Sequence, residues 1–443
     1  MGNKNIGDIF ELTDGNIVDK SKLQLLKIDT IVNAAKPTLM GSHQGVDGAI
    51  HEAIDRQLPA NTSFKDKICE ELKSKYGDHI IRCGRGKAVT THGYGLCNYV
   101  IHVVGAEYDG SGNTSGCSSS RAQIVESCYF EIVKEIRKHP DMKCVAVPVI
   151  SSGEYGFPFE LAVKLAVASI GNALVEWKKE DPEMFDLSAL EKMYLYIYRQ
   201  NETCGDQNYR KAQRIFEKYR SAFEKNKRVV YQSSAEAHIR YINEIVRYDE
   251  QRGYFSVAKN ARLFLMLIRF LFMPAMILKD KLYQNDWENR RRFVEKLTFG
   301  KALLPLIFYF IWKVCAVETD SIMAGILSVI LIYNMCDTVT YLLVLILMSD
   351  IQRPSANIIR SMILLFVNYM EVSFEMAFLY YQKYKVLFRE AVLFGILGQG
   401  MDIKSKSFTD YLFVYAGEGL RFFFVSLVFG YFATHMKQRR FRD

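Results

Sequence analysis

Two glycine-rich turns in the first half of the chain carry residue types that suit phosphate binding. The first, at residues 41–48, reads GSHQGVDG, and the second, at residues 149–158, reads VISSGEYGFP. Each follows a short apolar run and precedes a stretch with apolar residues at helical spacing. A strand, a turn and a helix start in that order bring free backbone N–H groups and the positive end of a helix dipole to one point, which suits a phosphate. The alternative is a pair of tight turns that bind nothing.

Predicted strands and helices alternate over the first 200 residues. Strand-like runs lie at residues 30–34, 99–105, 143–150 and 193–198. Helical stretches lie between them at residues 49–54, 63–75, 121–138 and 160–177. This alternation predicts an α/β sandwich with a mixed, mostly parallel sheet. Because ligands bind at the carboxyl ends of strands in such sheets, we expect the two turns to hold a diphosphate from both sides.

Four ordered blocks within these residues resemble the motif set of a macro domain. They are VNAA at residues 32–35, GVDGAIH at 45–51, GY with YVIHVVG at 93–94 and 99–105, and ISSGEYGFP at 150–158. The resemblance implies a three-layer α/β sandwich over residues 1–200 and a site for ADP-ribose or a derivative. The nine cysteines lack C-x-x-C pairs and metal-like spacing, which suits reduced thiols. No metal and no cofactor are expected beside that ligand.

The resemblance also implies roles for particular residues. Asn33 is expected to contact the distal ribose, while Ile17 and Phe157 are expected to flank the adenine or ribose faces. Backbone groups at residues 45–46 and 151–155 are expected to hold the diphosphate. The whole set of expected ligand-binding residues is Asn16, Ile17, Asn33, Gly45, Val46, Asp47, Ile50, Ser151, Ser152, Gly153, Glu154, Tyr155, Gly156 and Phe157.

Three positions depart from the pattern of the resembled family. Asn16 stands where an Asp usually accepts from the adenine amino group; an amide both accepts and donates, and Asp14 is an alternative acceptor. Lys36 stands where hydrolytic members usually carry a second Asn. Glu154 replaces an aliphatic residue in the second turn. A carboxylate beside a diphosphate is unfavourable unless a cation lies nearby, such as Lys36 or a positively charged group on the ligand.

Asp47 and His51 resemble the pair linked to removal of ADP-ribose from proteins in some members. As catalytic residues they would orient a water or the distal ribose. The structural alternatives are that Asp47 caps a helix starting at Gly48 and that His51 only caps or packs. His102, inside an apolar strand, is expected to be a core histidine.

Residues 201–261 form a basic, proline-free stretch with a helical pattern. Aromatic residues are interleaved with Lys and Arg there, which would also suit RNA. Because long apolar runs follow, we interpret this stretch as a membrane-proximal helical connector facing anionic lipid, and nucleic acid is not an expected partner. The net charge of +8 is explained in the same way, since positive residues concentrate beside the apolar runs.

Long apolar runs dominate residues 262–443 and predict an all-α transmembrane bundle. The predicted crossings are residues 302–317, 322–348, 358–381 and 411–433. Residues 263–278 are predicted to lie at the interface or re-enter, because basic residues place the loops on both sides of them in the cytoplasm. The predicted location is the cell inner membrane, with the N-terminal domain and the C-terminus cytoplasmic.

A short apolar helix at residues 386–398, followed by a glycine turn, lies between the last two predicted crossings and has the layout of a pore loop. The T-x-G-Y-G filter is absent, so selective potassium conduction is not supported. Charged residues inside the predicted crossings usually face a partner or water. They are Asp337, Glu371, Glu375, Glu418 and Arg421. Glu418 and Arg421 are three apart on one helix face and are expected to pair.

Together these features predict a sensor-effector, in which an NAD-derived nucleotide on the N-terminal domain changes the state of a homo-oligomeric module in membrane lipid. The pairing of a macro domain with membrane helices resembles effectors of bacterial Thoeris-type antiphage defence. That resemblance implies a TIR-domain partner that makes the signal, and a membrane that is permeabilised. Two alternatives stay open: a membrane-tethered ADP-ribosyl hydrolase using Asp47 and His51, and a receptor for ADP-ribosylated proteins.

Overall fold

The chain forms two compact units. The computed structural model describes residues 4–77, 79–108, 121–198, 202–250, 252–283, 286–319, 321–351, 358–399, 407–428 and 430. The N-terminal unit comprises Met1–Ser233 and Tyr283–Glu288, and the C-terminal unit comprises Ser234–Leu282 and Asn289–Asp443.

A six-stranded sheet forms the centre of the N-terminal unit. Its strands are β1 (Phe10–Asp14), β2 (Thr30–Ala34), β3 (Ala88–His92), β4 (Tyr99–Val103), β5 (Cys144–Pro148) and β6 (Lys192–Ile197), in the order β1-β6-β5-β2-β4-β3. All neighbours are parallel except β3 and β4. The sequence predicted the four inner strands. It missed β1 and β3 because these edge strands are only partly buried and therefore carry a weak apolar pattern.

Helices cover both faces of this sheet. They are α1 (Ile6–Ile9), α2 (Lys20–Leu25), α3 (Gly45–Asp55), α4 (Phe64–Glu71), α5 (Arg121–Lys138), α6 (Phe159–Glu180), α7 (Pro182–Leu187) and α8 (Glu202–Glu224). Side chains alternate along the strands: Val145 and Val147 of β5 join the core with α5 and α6, whereas Cys144 and Ala146 join the core with α3 and α4. The predicted three-layer α/β sandwich with a mixed sheet is confirmed.

Helix α8 belongs to the N-terminal unit and is not part of a separate connector. Its residues Ala212, Phe216, Tyr219 and Phe223 are buried in the core shared with α6. Their spacing of three or four residues places them on one helix face, and the charged residues occupy the rest. The structure therefore divides the chain after Ser233 where the sequence predicted a boundary after residue 200. The many Lys and Arg residues had obscured the apolar stripe.

The C-terminal unit is helical. Its helices are α9 (Ser234–Tyr248), α10 (Ser256–Ile268), α11 (Met273–Leu282), α12 (Trp287–Val314), α13 (Ile322–Leu347), α14 (Ile358–Tyr384), α15 (Phe388–Leu397) and α16 (Phe408–Phe422). A 3₁₀ turn at Arg269–Phe272 joins α10 to α11. Among the described residues, four helical segments are long and apolar enough to cross a membrane: Ser256–Leu282, Trp287–Val314, Ile322–Leu347 and Ile359–Tyr384. These segments support association with a membrane.

The first of these segments differs from the prediction. Residues 263–278 were expected to lie at the interface, yet the helical segment Ser256–Leu282 has 27 residues and is long enough to span. Its polar beginning at Ser256 hid seven helical residues from an apolar count. The other three segments correspond to predicted crossings, while the predicted crossing at residues 411–433 lies partly outside the described residues.

The predicted short helix between the last two crossings is present as α15. It ends at Gly398, whose φ of 72° is left-handed, as the predicted glycine turn requires. The predicted pairing of Glu418 with Arg421 is also confirmed. Arg421 Nη1 in addition donates to the Phe394 carbonyl of α15 at 2.6 Å, so the pair holds α16 against α15.

Candidate functional site

A cavity of about 530 Å³ lies at the edge of the sheet where β2, β5 and β6 end. Because these strands are parallel, their carboxyl ends meet there, as the sequence led us to expect. The cavity wall contains most of the predicted ligand-binding residues, namely Asn16, Ile17, Gly45, Val46, Asp47, Ser151, Ser152, Gly153, Glu154 and Tyr155. That these residues bind a ligand remains a prediction.

Four predicted residues, Asn33, Ile50, Gly156 and Phe157, lie outside this wall. Asn33 and Ile50 have no exposed area, and Gly156 forms the turn with a φ of 68°. Phe157 is in the core, where its ring centroid lies 5.1 Å from that of Tyr108. Phe157 therefore does not line the cavity, whereas Phe159, two residues later, does. That Phe157 flanks a ligand stays a prediction.

The first glycine-rich turn ends in the N-terminus of α3. That helix begins at Gly45, three residues before the predicted start, and its N-cap residue Gln44 forms no side-chain hydrogen bond to it. Asp47 is therefore not the N-cap. Gly45 and Val46 are in the cavity wall, so uncapped N–H groups of the first helical turn lie beside the cavity. A helix of this length adds its positive dipole end to them.

The second turn is closed by its own hydrogen bonds. Ser151, whose φ is 66°, accepts the Ala106 N–H on Oγ at 3.2 Å and the Phe157 N–H on its carbonyl at 2.9 Å. Gly156 N–H donates to the Gly153 carbonyl at 2.8 Å. Within the described part of the chain, the N–H groups of Gly153 and its two successors donate to no protein acceptor. This turn thus also offers free donors, in a wall shared with α3.

A chain of buried hydrogen bonds fixes Asp47. Asn33 Nδ2 lies 2.8 Å from Asp47 Oδ1 and 3.2 Å from His102 Nδ1. Because an amide nitrogen only donates, His102 accepts on Nδ1 and carries its proton on Nε2, which lies 3.0 Å from Thr91 Oγ1. Burial lowers the pKa of His102 to about 3, so the ring is neutral. His102 is a core histidine, as predicted, and it also positions Asn33.

His51 lies behind Asp47 and not in the cavity wall. Its Nε2 is 3.6 Å from Asp47 Oδ1, and its ring centroid is 4.9 Å from that of Phe64. Burial lowers the pKa of His51 against the opposing effect of Asp47, so the imidazole is neutral at pH 7. Among the described residues, Asp47 Oδ2 has no hydrogen-bond partner. This oxygen can accept from a ligand hydroxyl or orient a water.

The charges in the cavity wall are unusual for an anion site. The wall contains two carboxylates, Asp47 and Glu154, and one ammonium, that of Lys36. A Cβ added at Gly45 would lie 4.0 Å from Glu154 Oε1, so this carboxylate reaches from the second turn to the first. A ligand with two phosphates would therefore lie beside a negative charge of the protein.

Sequence analysis missed several wall residues near the end of β6. Tyr196 is buried, and its hydroxyl has no partner among the described residues. Burial raises the pKa of Tyr196 to about 12, so the phenol remains a donor. Tyr198 and Asn208 complete this part of the wall, and Asn208 comes from α8. The rule that ligands bind at strand ends would have predicted the two tyrosines. No sequence signal places Asn208 there.

Asn16 and Asp14, at the end of β1 next to β6, differ in their position relative to the wall. Asn16 is part of the wall and accepts the Val18 N–H on Oδ1 at 3.2 Å. Asp14 lies outside it, with Oδ1 3.2 Å from Lys22 Nζ. Of these two candidate acceptors, Asn16 is therefore the one that faces the cavity.

Comparisons with known proteins match the N-terminal unit. The family model described as Macro domain matches residues 32–166. A macro domain-containing protein of Methanosarcina mazei is 36% identical over 177 residues, which cover 40% of this chain and 78% of that protein. The ADP-ribose glycohydrolase MACROD2 of Homo sapiens is 35% identical over 167 residues, which cover 38% of this chain and 33% of that protein. The solved Oceanobacillus iheyensis macrodomain with ADP covers 48% of this chain and 94% of its own, with 23% identity and a TM-score of 0.35.

Proposed function

This chain belongs to the macro domain family, and on that premise we propose that its N-terminal unit binds ADP-ribose or an NAD-derived derivative of it. The observation that carries the proposal is the convergence of two donor-rich turns on one cavity. The N-terminus of α3 and the turn at residues 151–155 supply free N–H groups to the same space. A diphosphate held between them would receive donors from both sides.

The remaining wall residues suit the rest of such a ligand. Ile17 and Tyr196 offer apolar surface and a free hydroxyl beside Asn16, where a purine base would lie. Asp47 is in the same wall and its Oδ2 has no partner among the described residues, so the hydroxyls of a distal ribose would find an acceptor there. Asn33 Nδ2 donates to Asp47 Oδ1 and so holds the Asp47 carboxylate in place. A cavity of about 530 Å³ is within the usual range for ligands of this size.

Calorimetry of residues 1–233 with ADP-ribose, ADP, NAD⁺ and cyclic ADP-ribose tests the proposal. We expect saturable binding of at least one nucleotide that carries a distal ribose, with weaker binding of ADP because Asp47 then has no partner. Failure of every nucleotide to bind would remove the proposal.

Glu154 provides a prediction about the ligand's charge. NAD⁺ carries a cationic ring on its distal ribose, whereas ADP-ribose does not. If Glu154 faces that group, Glu154→Gln will weaken NAD⁺ binding and strengthen ADP-ribose binding, each by roughly 1 kcal/mol, about fivefold. Titrations of both ligands measure the two changes. Glu160→Gln, which alters an exposed carboxylate paired with Lys164 on α6, is the matched control. Equal changes for both ligands would contradict a role in reading charge.

A second candidate function is hydrolysis of an ADP-ribosyl bond. The buried, unpartnered Oδ2 of Asp47 favours it, because such a carboxylate can orient an attacking water. Lys36 in the wall, where hydrolytic members usually carry Asn, weighs against it. Incubation of the chain with ADP-ribosylated protein tests this second function. Turnover that falls at least a hundredfold in Asp47→Asn but not in Glu52→Gln supports a hydrolase. No turnover by the natural chain excludes one.

The C-terminal unit extends the proposal to a membrane effector. Four apolar helices support membrane anchoring. A nucleotide changes the state of that unit only if it binds two states of the chain unequally. We propose a homo-oligomer in the inner membrane that becomes permeable when the nucleotide binds, with a cytoplasmic N-terminal unit and a TIR-domain protein as signal source in antiphage defence. Nucleotide-triggered dye release from proteoliposomes supports this role, and binding without release favours a receptor for ADP-ribosylated proteins.

A further inference from the structure

A cluster of polar side chains lies between α12, α13, α14 and the 3₁₀ turn at Arg269–Phe272. Its members are Arg269, Lys301, Asn334, Asp337, Thr338, Glu371 and Glu375. Glu371 and Glu375 are one turn apart on α14, and neither has any exposed area. Helix α14, which carries both, is a candidate membrane span. Charged groups inside a membrane are costly and usually belong to a functional site. The macro domain function does not account for this cluster.

The three carboxylates of the cluster are unequally paired. Asp337 has two cations, with Arg269 Nη1 at 2.6 Å and Lys301 Nζ at 3.0 Å. Glu371 pairs with the same lysine, since its Oε1 lies 3.3 Å from Lys301 Nζ. It also accepts from the Thr338 hydroxyl at 2.6 Å. Glu375 is paired with no cation among the described residues. Its one hydrogen bond there comes from Asn334 Nδ2 at 2.5 Å.

Asn334 brings the two glutamates together. The same Nδ2 lies 3.2 Å from Glu371 Oε1, so one amide group serves both carboxylates. Oε2 of Glu371 and Oε2 of Glu375 are buried and have no partner among the described residues. Two unpartnered oxygens on adjacent acids, shielded from solvent, therefore remain after every contact in the cluster is counted.

The charges of the cluster do not balance. Three carboxylates face two cations, Arg269 and Lys301, which leaves one negative charge in excess. An ionised carboxylate without a counter-charge in such surroundings costs far more than a hydrogen bond returns. Helices α15 and α16 bring no compensating cation to Glu375, since Arg421 is paired with Glu418. The thiol of Cys336, on α13, adds none. A bound cation must therefore neutralise the pair.

The groups around Glu371 and Glu375 favour a proton over a metal ion as that cation. The groups that point at the two carboxylates are donors: Asn334 Nδ2, the Thr338 hydroxyl and the ammonium of Lys301. These donors form hydrogen bonds to the carboxyl oxygens. They cannot coordinate a metal ion, which needs further oxygen ligands. A proton needs only one of the unpartnered oxygens and then makes that carboxyl neutral.

We propose that Glu371 and Glu375 form an exchangeable proton-binding site within the membrane bundle, with the proton carried by Glu375. With the proton bound, both acids pack against α13 through Asn334. When it leaves, two negative charges one turn apart on α14 repel each other and lose that packing. Proton release and uptake thereby alter the contact between α13 and α14.

Infrared difference spectroscopy of the full chain in liposomes, recorded during a pH titration, tests this site. We expect a carboxylic-acid C=O band that titrates with pH and shifts in D₂O. Glu375→Gln should remove it. Glu318→Gln, a change to an exposed acid in the loop after α12, should leave it in place. Glu371→Gln should keep the band but move its midpoint at least one pH unit lower, because the neighbouring negative charge is gone.

Three outcomes would overturn the proposal. One is a bundle, folded by circular dichroism, that shows no such band at any pH. The second is a band that survives in Glu375→Gln. The third is a band that sodium removes at constant pH, which would identify a metal-cation site. The Glu371→Gln shift keeps the test decisive if Glu375→Gln fails to fold.

Discussion

Replacement of Gly105 by Ala is expected to abolish nucleotide binding while the rest of the N-terminal unit stays folded. Gly105 lies in the cavity wall just after β4. A Cβ there would lie 2.2 Å from Ser151 Oγ and 2.9 Å from Ile150 Cγ2, both closer than atoms can approach. Ser151 would have to move. Its Oγ and carbonyl anchor the second turn through Ala106 and Phe157, so the free N–H groups of that turn would move with it.

The expected effect is at least a hundredfold weaker binding, about 3 kcal/mol, because half of the diphosphate donors would be misplaced. Calorimetry with the tightest nucleotide of the panel measures it. Gly84→Ala is the matched control, since the nearest atom to a Cβ there is Lys87 Cγ at 3.8 Å, an ordinary contact. Thermal unfolding confirms that both variants fold. Binding by Gly105→Ala at the strength of the control would mean that the second turn does not hold the ligand.

Much of this site could be predicted because it depends on backbone. Gly45 and Ser151 belong to turns whose glycines and order between strand and helix are visible in the sequence. Their N–H groups are donors whatever the side chains, so strand, turn and helix spacing suffices to place them. The same reasoning placed Asp47 in the wall but gave it the wrong helix position, since helix ends are the least certain part of such predictions.

Side-chain direction could not be predicted in the same way. Phe157 and Phe159 both follow the second turn, and only the packing of α6 decides which one faces the cavity. Asn33 looks like a ligand contact within its motif, yet the inward face of β2 buries it under Asp47. Tyr196 has its free hydroxyl in the wall because β6 lies between β1 and β5, and strand order is a tertiary property.

In the membrane half, too, features set by the local sequence could be predicted, whereas contacts set by the packing of helices could not. Apolar length located three of the four candidate crossings, and helix spacing located the pair of Glu418 with Arg421. It could not show that Glu371 and Glu375 meet Asn334, which is 37 and 41 residues away, since that contact depends on how α13 and α14 face each other. Charge inside a predicted span was a signal of function, but not of which groups would remain unpaired.

Helix α8 provides the second prediction, because it appears from the sequence to be a polar connector. Phe223 is 1% exposed, and a Cβ added at Gly171 of α6 would lie 2.2 Å from its ring, so the ring rests directly on the α6 backbone. Phe223→Ala would leave a cavity there that the backbone of α6 cannot fill. We expect the free energy of unfolding of residues 1–233 to fall by about 3–5 kcal/mol, measured by urea denaturation.

Gln213→Ala is the control on the same helix, since Gln213 is exposed and alanine favours helix. We expect it to change the free energy of unfolding by less than about 0.5 kcal/mol. Equal small effects of both changes would mean that α8 is a connector after all. A large difference means that a fragment ending at residue 200 lacks part of its core, and also Asn208 of the cavity wall. Such a fragment would then fail to bind nucleotide because it is unfolded, whatever the specificity of the site.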